Sequence, residues 1–236
     1  MTRPLTIDVN ADLGEGCPND ARLLDLVTSA SVSCGAHAGD RATILATLDA
    51  AVARGVAVGA HPGFPDRKHF GRRERAATPD EVERLILDQI DDLTALAERS
   101  GVSLRFVKPH GALYNQAQRE EGVARGVLSA VRRLGLPVLG QPGGVLQRLA
   151  ESDGVRFVAE GFPDRRYDAD GRLVPRDRPD AVLHEPAEID AQVIRLVQTG
   201  LETLCIHGDD PRAVANAENV RAVLSRHGVS TRFWGA

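Results

Sequence analysis

Aromatic and sulfur-bearing residues are scarce in this chain. Of 236 residues, six are Phe, two Tyr, one Trp, three Cys and one Met. The core must therefore be built mainly from Ala, Val, Leu and Ile, within an apolar share of 42%. Cys17, Cys34 and Cys205 are far apart, odd in number and form no C-x-x-C pair, so nothing suggests a zinc knuckle or a disulfide framework. Reduced thiols in a cytoplasmic protein are the plain expectation. There is no excess of basic residues, 29 Lys and Arg standing against 33 Asp and Glu, which speaks against nucleic-acid binding. No apolar run approaches the roughly 18 residues that span a bilayer. Asp8, Asn10 and Asp12 interrupt any export-signal core between Met1 and Asp12. Also missing are G-x-x-x-x-G-K-S/T, G-x-G-x-x-G after the first strand, and G-x-S-x-G. These absences disfavour a self-contained P-loop ATPase, a Rossmann dehydrogenase and a serine hydrolase.

What is present is an alternation of short apolar runs and longer helical patterns. Strands are predicted at Leu5–Asn10, Ser31–Cys34, Val56–Ala60, Leu104–Lys108, Pro137–Gly140, Val155–Glu160 and Glu202–His207, with a short piece at Thr231–Trp234. Helices are predicted at Arg41–Arg54, Pro79–Arg99, Glu120–Leu134, Ala187–Thr199 and Pro211–Arg226. Asp40 suits the first of these as N-cap and Gly55 its C-terminal stop. Thr78 with Glu81 makes a capping box, Pro79 fits the first helical position, and Asp210 reads as a cap. Gly161–Pro179, rich in Arg, Asp and Pro, reads as one long loop. The length suits a single domain over 1–236.

This rhythm means a parallel α/β sheet, open or closed. The faces of the strands favour closure. Thr6, Asp8, Asn10 and Asp12 share one face of the first strand and Leu5, Ile7 and Val9 the other. Thr203, Cys205 and His207 likewise oppose Leu204 and Ile206. An open sheet covered by helices wants both faces apolar, whereas a barrel tolerates a polar interior. Leu104 and Phe106 share a face with Lys108, so the fourth strand departs from the pattern.

Polar residues collect at the C-terminal ends of the strands, the rim where barrel enzymes keep their active sites. They include Asn10, Asp12 and Glu15; His37; His61; Lys108, His110, Tyr114 and Asn115; Glu160, Asp164 and Arg165; and His207 with Asp209. Of seven histidines, His184 and His227 alone lie away from these segments. Asp12, Glu15 and Asp209 beside His37, His61 and His207 suit proton transfer or activation of water. They suit metal ligation equally, with Asp12, His61 and His207 as candidates. Lys108 suits an oxyanion or a phosphate. Arg72, Arg73 and Arg165 suit carboxylate or phosphate. Blander readings stand beside these. Asp40 and Asp210 read first as helix caps, Gly14, Gly16, Gly35 and Gly39 as turn residues, His69 as a solvated side chain, and Cys34 and Cys205 as core packing.

The segments Ile7-Asp-Val-Asn-Ala-Asp-Leu-Gly-Glu-Gly16, Thr28-Ser-Ala30 with Cys34-Gly-Ala-His-Ala-Gly-Asp40, Gly59-Ala-His-Pro-Gly-Phe-Pro-Asp66, Phe70-Gly-Arg-Arg73, Val107-Lys-Pro-His-Gly-Ala-Leu-Tyr-Asn115, Phe162-Pro-Asp-Arg-Arg-Tyr167 with Leu173-Val-Pro-Arg176, and Cys205-Ile-His-Gly-Asp209 together resemble the LamB/YcsF family over nearly the whole chain. That resemblance implies a TIM-like (β/α)7 barrel of the glycoside hydrolase/deacetylase type. It implies work as the A subunit of an ATP-dependent 5-oxoprolinase, with subunits B and C as partners and ATP, with Mg, as co-substrate. The expected catalytic residues are Asp12, His61, Lys108, His110, His207 and Asp209. Asn10, Glu15, His37, Arg72, Tyr114, Asn115, Glu160, Asp164 and Arg165 are expected to bind substrate or phosphate. The alternatives are a metal-dependent deacetylase-like hydrolase of another amide, and a substrate-binding subunit without its own catalysis. Between Gly16 and the first helix the chain has a shorter loop than the family usually carries.

Overall fold

In the computed structural model, residues 5–169, 171–176 and 178–235 are described. Met1–Pro4 of the N-terminal stretch and Asp170 and Asp177 of the long loop lie outside them. The strands are β1 (Thr6–Leu13), β2 (Ser29–Ser33), β3 (Ala57–His61), β4 (Val138–Gly140), β5 (Phe157–Gly161), β6 (Thr203–His207) and β7 (Ser230–Thr231). The helices are α1 (Asp20–Leu24), α2 (Arg41–Arg54), α3 (Pro79–Arg99), α4 (Gly111–Ala117), α5 (Glu121–Leu134), α6 (Val145–Ser152), α7 (Pro186–Gln198) and α8 (Ala213–Arg226), with a 3-10 turn at Arg67–His69.

The strands run in parallel in the order β3, β2, β1, β6, β5, β4. Val107 closes the ring, bridging in parallel to Ala60 of β3 and to Val138 of β4. The strand predicted at Leu104–Lys108 is thus reduced to a single bridged residue, although its backbone still bonds to both neighbours: Lys108 N donates to Ala60 O and Leu139 N to Val107 O. The piece predicted at Thr231–Trp234 shifts to β7, which pairs with the first residues of β1.

The alternation read from the strands sorts the interior from the shell. Val9, Ala11 and Leu13 of β1, Val58 and Ala60 of β3, and Leu204 and Ile206 of β6 join the buried core beneath the helices. A separate small cluster, Phe106, Leu139, Val158 and Phe233, fills the end of the barrel away from the mouth. This plug explains why Phe106 shares a face with Lys108. Gly59 makes room for it, since a Cβ there would fall 2.2 Å from the Phe106 ring.

Helices α2 and α3 match their predicted bounds, with Asp40 Oδ1 accepting from Thr43 N and the capping box of Thr78 and Glu81 formed. Asp210 is a correction. Helix α8 begins at Ala213, and Asp210 Oδ1 instead accepts from Arg212 N in the turn before it. Helices α1, α4 and α6 went unread. They are five to eight residues long, and α4 and α6 follow Pro- and Gly-rich segments that mimic loops. Among the described residues, no helix is long and apolar enough to cross a membrane.

Candidate active site

The strand ends open on one cleft of about 1310 Å³, larger than the roughly 300–1,000 Å³ of common small-molecule pockets. Asp12, Glu15, His61, Arg72, Lys108, His110, Tyr114, Asn115, Arg165, His207 and Asp209 all line it. Asn10, His37, Glu160 and Asp164 lie buried behind that lining.

Inside the barrel the polar faces of β1, β2, β5 and β6 meet. At the deepest level Asp8 accepts hydrogen bonds from Thr28 Oγ1 at 2.6 Å, Ser29 Oγ at 2.8 Å and Thr203 Oγ1 at 2.6 Å. Burial pushes its carboxyl up to about 6 despite those donors. One step toward the mouth, Asn10 Nδ2 donates to Glu160 Oε1 and Thr203 Oγ1.

Lys108 occupies the centre. Its Nζ lies 2.8 Å from Asp12 Oδ1, 2.8 Å from Glu160 Oε1, 3.1 Å from Asn10 Oδ1 and 2.9 Å from Cys205 Sγ. An ammonium has three N–H bonds, so these four acceptors leave none for an incoming phosphate. Lys108 is therefore placed as the counter-ion of two buried carboxylates. Burial opposes its charge, but Asp12 and Glu160 outweigh it and hold Lys108 well above the usual lysine range. Burial likewise opposes ionisation of Asp12, and Lys108 overrides it, so the carboxylate stays charged. Cys205, read from sequence as core packing, is part of this group. Burial and the Asp12 charge push its thiol well above the usual range, so it contributes as a neutral S–H.

A second group sits beside Asp12. His61 Nδ1 lies 2.7 Å from Lys108 O, and His110 Nε2 lies 2.8 Å from Phe70 O. His61 Nε2 and His110 Nδ1 face one another at 3.0 Å. Glu15 Oε1 lies 3.4 Å from His110 Nδ1, 3.9 Å from His61 Nε2 and 3.1 Å from His37 Nε2. Burial lowers His37 to about 3 and His61 to about 4 and puts His110 well below its usual value. It raises Glu15 well above the usual carboxylate range, helped by the charges of Asp12 and Asp209. Gly71, at φ 63°, lets the backbone pass this close, because a Cβ there would fall 2.8 Å from His37 Cβ.

On the far wall His207 Nδ1 lies 3.0 Å from Asp164 Oδ2, and the ring stacks on Phe162. His207, Asp12 and Cys205 offer ligand atoms within 4.8 Å of one another. Of the metal candidates read from sequence, Asp12 and His207 share this group and His61 belongs to the other, although Asp12 Oδ2 also lies 3.6 Å from His61 Nε2. Asp209 does not pair with His207. It takes Arg72 and Arg176, the latter at 3.3 Å. Tyr114 is buried and packs edge-on against Phe162, Asn115 is exposed on the cleft wall, and Arg165 gives its guanidinium to Ala181 O and Val174 O of the long loop. His69 stays partly exposed to solvent, as expected, and also pairs with Asp66 at 2.7 Å.

The matched residues of the LamB/YcsF family profile run from 7 to 235. The chain belongs to the LamB/YcsF family. It is 45% identical to the 5-oxoprolinase A subunit of Methylococcus capsulatus (strain Bath), over 98% of this chain and 96% of that protein. It superposes on the crystal structure of the lactam utilization protein of Thermus thermophilus with a TM-score of 0.89 and 40% identity, covering 98% of this chain and all of that one. A deacetylase solved with its substrate shares the fold at a TM-score of 0.57 and 14% identity, covering 98% of this chain and 88% of that one. As a LamB/YcsF member, the chain has a TIM-like barrel.

The expected site residues did not include Asp8, Thr203, Cys205 and Arg176, which the structure brings to the cleft and the polar interior beneath it. The first three lie on the polar strand faces already noted, and that signal was sufficient to place them inside. Arg176 ends the family-like segment Leu173-Val-Pro-Arg176 of the long loop, but nothing in the spacing assigns it a place in the cleft.

Proposed function

We propose that this LamB/YcsF chain is the A subunit of an ATP-dependent 5-oxoprolinase, opening 5-oxo-L-proline to L-glutamate with subunits B and C. The names carried by the Methylococcus and Thermus relatives point to lactam hydrolysis. The observation that carries the reading is the cleft's two chemical poles. One is the carboxylate–imidazole floor of Asp12 and His207; the other is the pair of arginines, Arg72 and Arg176, around Asp209.

A lactam carbonyl is a poor electrophile. Transfer of the γ-phosphoryl group of ATP to the lactam oxygen forms an O–P bond and releases ADP. Water then adds to the ring carbon, its C–N bond breaks, and the nitrogen takes a proton. A second water cleaves the resulting acyl phosphate to glutamate and phosphate. In this reading Arg72 and Arg176 hold the phosphoryl oxygens, a role that suits guanidinium donors. His207, oriented by Asp164, takes the proton of the attacking water and returns it to the leaving nitrogen. Asp12, kept ionised by Lys108, orients the water. ATP reaches the site as a substrate, as its magnesium complex, and the absence of a P-loop leaves its adenosine end to the rest of the cleft or to the partners.

A second reading, hydrolysis of another amide without ATP, draws on the Glu15–His61–His110 group, whose donor set suits a metal. One experiment separates the readings. The chain is mixed with subunits B and C, 5-oxoproline and ATP, and each component is left out in turn while glutamate and phosphate are measured. The proposal expects equal amounts of both, and only from the complete mixture. No glutamate from the complete mixture overturns it, amide cleavage by this chain alone without ATP supports the second reading, and full activity without this chain assigns it neither.

A further inference from the structure

Three electron-pair donors converge in the cleft. His61 Nδ1 and His110 Nε2 each face a backbone carbonyl, Lys108 O at 2.7 Å and Phe70 O at 2.8 Å. A carbonyl oxygen only accepts, so both nitrogens carry their hydrogens there. A neutral imidazole has one N–H, which leaves His61 Nε2 and His110 Nδ1 bare. Those two bare nitrogens lie 3.0 Å apart, lone pair against lone pair. The buried Glu15 carboxylate completes the triangle, Oε1 lying 3.4 Å from one and 3.9 Å from the other. A single proton, whether shared between the nitrogens or carried by Glu15, bridges one pair of these atoms and leaves the third facing them.

His37 also offers a nitrogen, 3.1 Å from Glu15 Oε1, but ring geometry separates its role from that of the other two. The His37 and His110 rings stack at 3.7 Å with an interplanar angle of 6°. A metal lies near the plane of each imidazole that binds it, and parallel planes do not meet. The His61 and His110 planes cross at 87°, so one ion can lie in both. His37 therefore donates from Nε2 to Glu15 and fixes the carboxylate.

We propose that Glu15 Oε1, His61 Nε2 and His110 Nδ1 form a binding site for one divalent cation of the zinc class, with His37 as the positioning residue behind Glu15. Two imidazoles and a carboxylate are a ligand set that leaves an open coordination position to the cleft. The separations of 3.0 to 3.9 Å are those that bonds of about 2.0–2.2 Å span at angles from near 90° upward. Imidazole donors favour zinc-like ions over magnesium, which takes oxygen ligands. The second shell is already in place, since Lys108 O and Phe70 O hold the outer nitrogens of both rings. Phe70 sits at φ 55°, the one non-glycine residue in the left-handed region among those described, and this conformation presents its carbonyl to His110. The assignment is independent of which amide the protein opens and of any need for ATP.

The test uses the full chain, freed of affinity tag, stripped with chelator and dialysed against Zn2+ or Co2+. Metal content is measured by mass spectrometry, and the Co2+ form by its visible absorption. About one equivalent per chain is expected, with a ligand-field band that excess Mg2+ does not remove. Glu15→Gln and His110→Ala should each lower affinity at least tenfold. His37→Phe should weaken binding by about 10- to 100-fold while keeping the one-ion stoichiometry. Glu15→Gln is close to isosteric, so it decides the matter if His110→Ala fails to fold. Binding of less than about a tenth of an equivalent by the wild-type chain, or unchanged affinity in Glu15→Gln, would overturn the site.

Discussion

Lys108 Nζ donates to Asp12 Oδ1 across 2.8 Å in the middle of the barrel, where the lysine side chain is 2% exposed and the aspartate 9%. Glu160 stands equally close on the other side, so one cation compensates two anions. Removing the cation alone leaves two uncompensated buried charges. Lys108→Met is therefore expected to cost about 3–5 kcal/mol of stability, quite apart from any effect on the reaction. Asp12→Asn introduced into that background removes one of the two charges and should restore part of the loss. Urea unfolding of the two single variants and the double variant measures this as a coupling. Additive effects would mean that the pair contributes nothing of its own.

Asp8 offers a pH-dependent test at the opposite end of the same polar column. Its folded value, about 6, lies above the ordinary 3.8, so the folded chain holds that proton more tightly than the unfolded chain. Below about pH 4 both states are protonated and the site costs nothing. Between about pH 4 and 6 stability falls because the unfolded chain's carboxyl ionises while the buried one keeps its proton, and above pH 6, where the buried one ionises too, the full penalty of about 3 kcal/mol is present. Asp8→Asn lacks this penalty, and its amide can exchange hydrogen bonds with hydroxyls free to turn. The variant should be more stable than wild type at pH 8 and similar at pH 4. Unfolding midpoints at the two pH values check it, and equal pH slopes for both chains would refute it.

Much of this interior was legible in the sequence because a strand's period of two separates its faces. Asp8, Asn10 and Asp12 on one face of β1, with Thr203, Cys205 and His207 on one face of β6, already describe a polar barrel lumen. The rim was legible for the same reason, since parallel strands bring His61, His110 and His207 to one end. What could not be read is pairing. Asp209 follows His207 by two residues, yet it bonds to Arg72 and Arg176 from distant loops while His207 takes Asp164. Chain proximity carries no information about which side chains turn toward each other across a closed ring. Lys108 shows the same limit. Its place at a strand end fits a phosphate binder, and only the closure around it reveals that its donors are already used.

The Asp164–His207 pair makes a kinetic prediction. Asp164 fixes which ring nitrogen of His207 carries the hydrogen, and so leaves the other to exchange protons in the cleft. Asp164→Asn preserves size but removes the anionic partner. The expected result is a fall in kcat on the order of 10²–10⁴-fold with KM little changed, measured as glutamate release by the reconstituted mixture. A variant that lost KM and kept kcat would move Asp164 from proton transfer to binding.

Arg72 and Arg176 should show the reverse pattern. Both are held by Asp209 at the cleft wall, poised for an anionic group. A hydrogen bond to a charged partner contributes about 1.5–3 kcal/mol, equivalent to roughly 10- to 150-fold in affinity. Arg72→Ala and Arg176→Ala should raise KM by up to that factor for the substrate bearing the anion they hold. Titrating ATP and 5-oxoproline separately tells which substrate it is. Unchanged KM for both in both variants would remove the anion-binding assignment.

Gly71 tests whether the histidine cluster depends on backbone approach or only on its side chains. At φ 63° a non-glycine residue carries a strain of about 1–2 kcal/mol. At Gly71 an added Cβ would also meet His37 Cβ at 2.8 Å and His110 Cδ2 at 3.0 Å. Gly101, at φ 71°, has nothing within 4 Å of the same atom. Gly101→Ala therefore reports the backbone penalty alone, and Gly71→Ala the penalty plus displacement of the two rings. Gly71→Ala should be the less stable of the two by urea unfolding and should lose far more activity than its stability loss explains, whereas Gly101→Ala should keep wild-type kcat. If the two variants behave alike in both measurements, the spacing of His37 and His110 does not rest on the glycine between them.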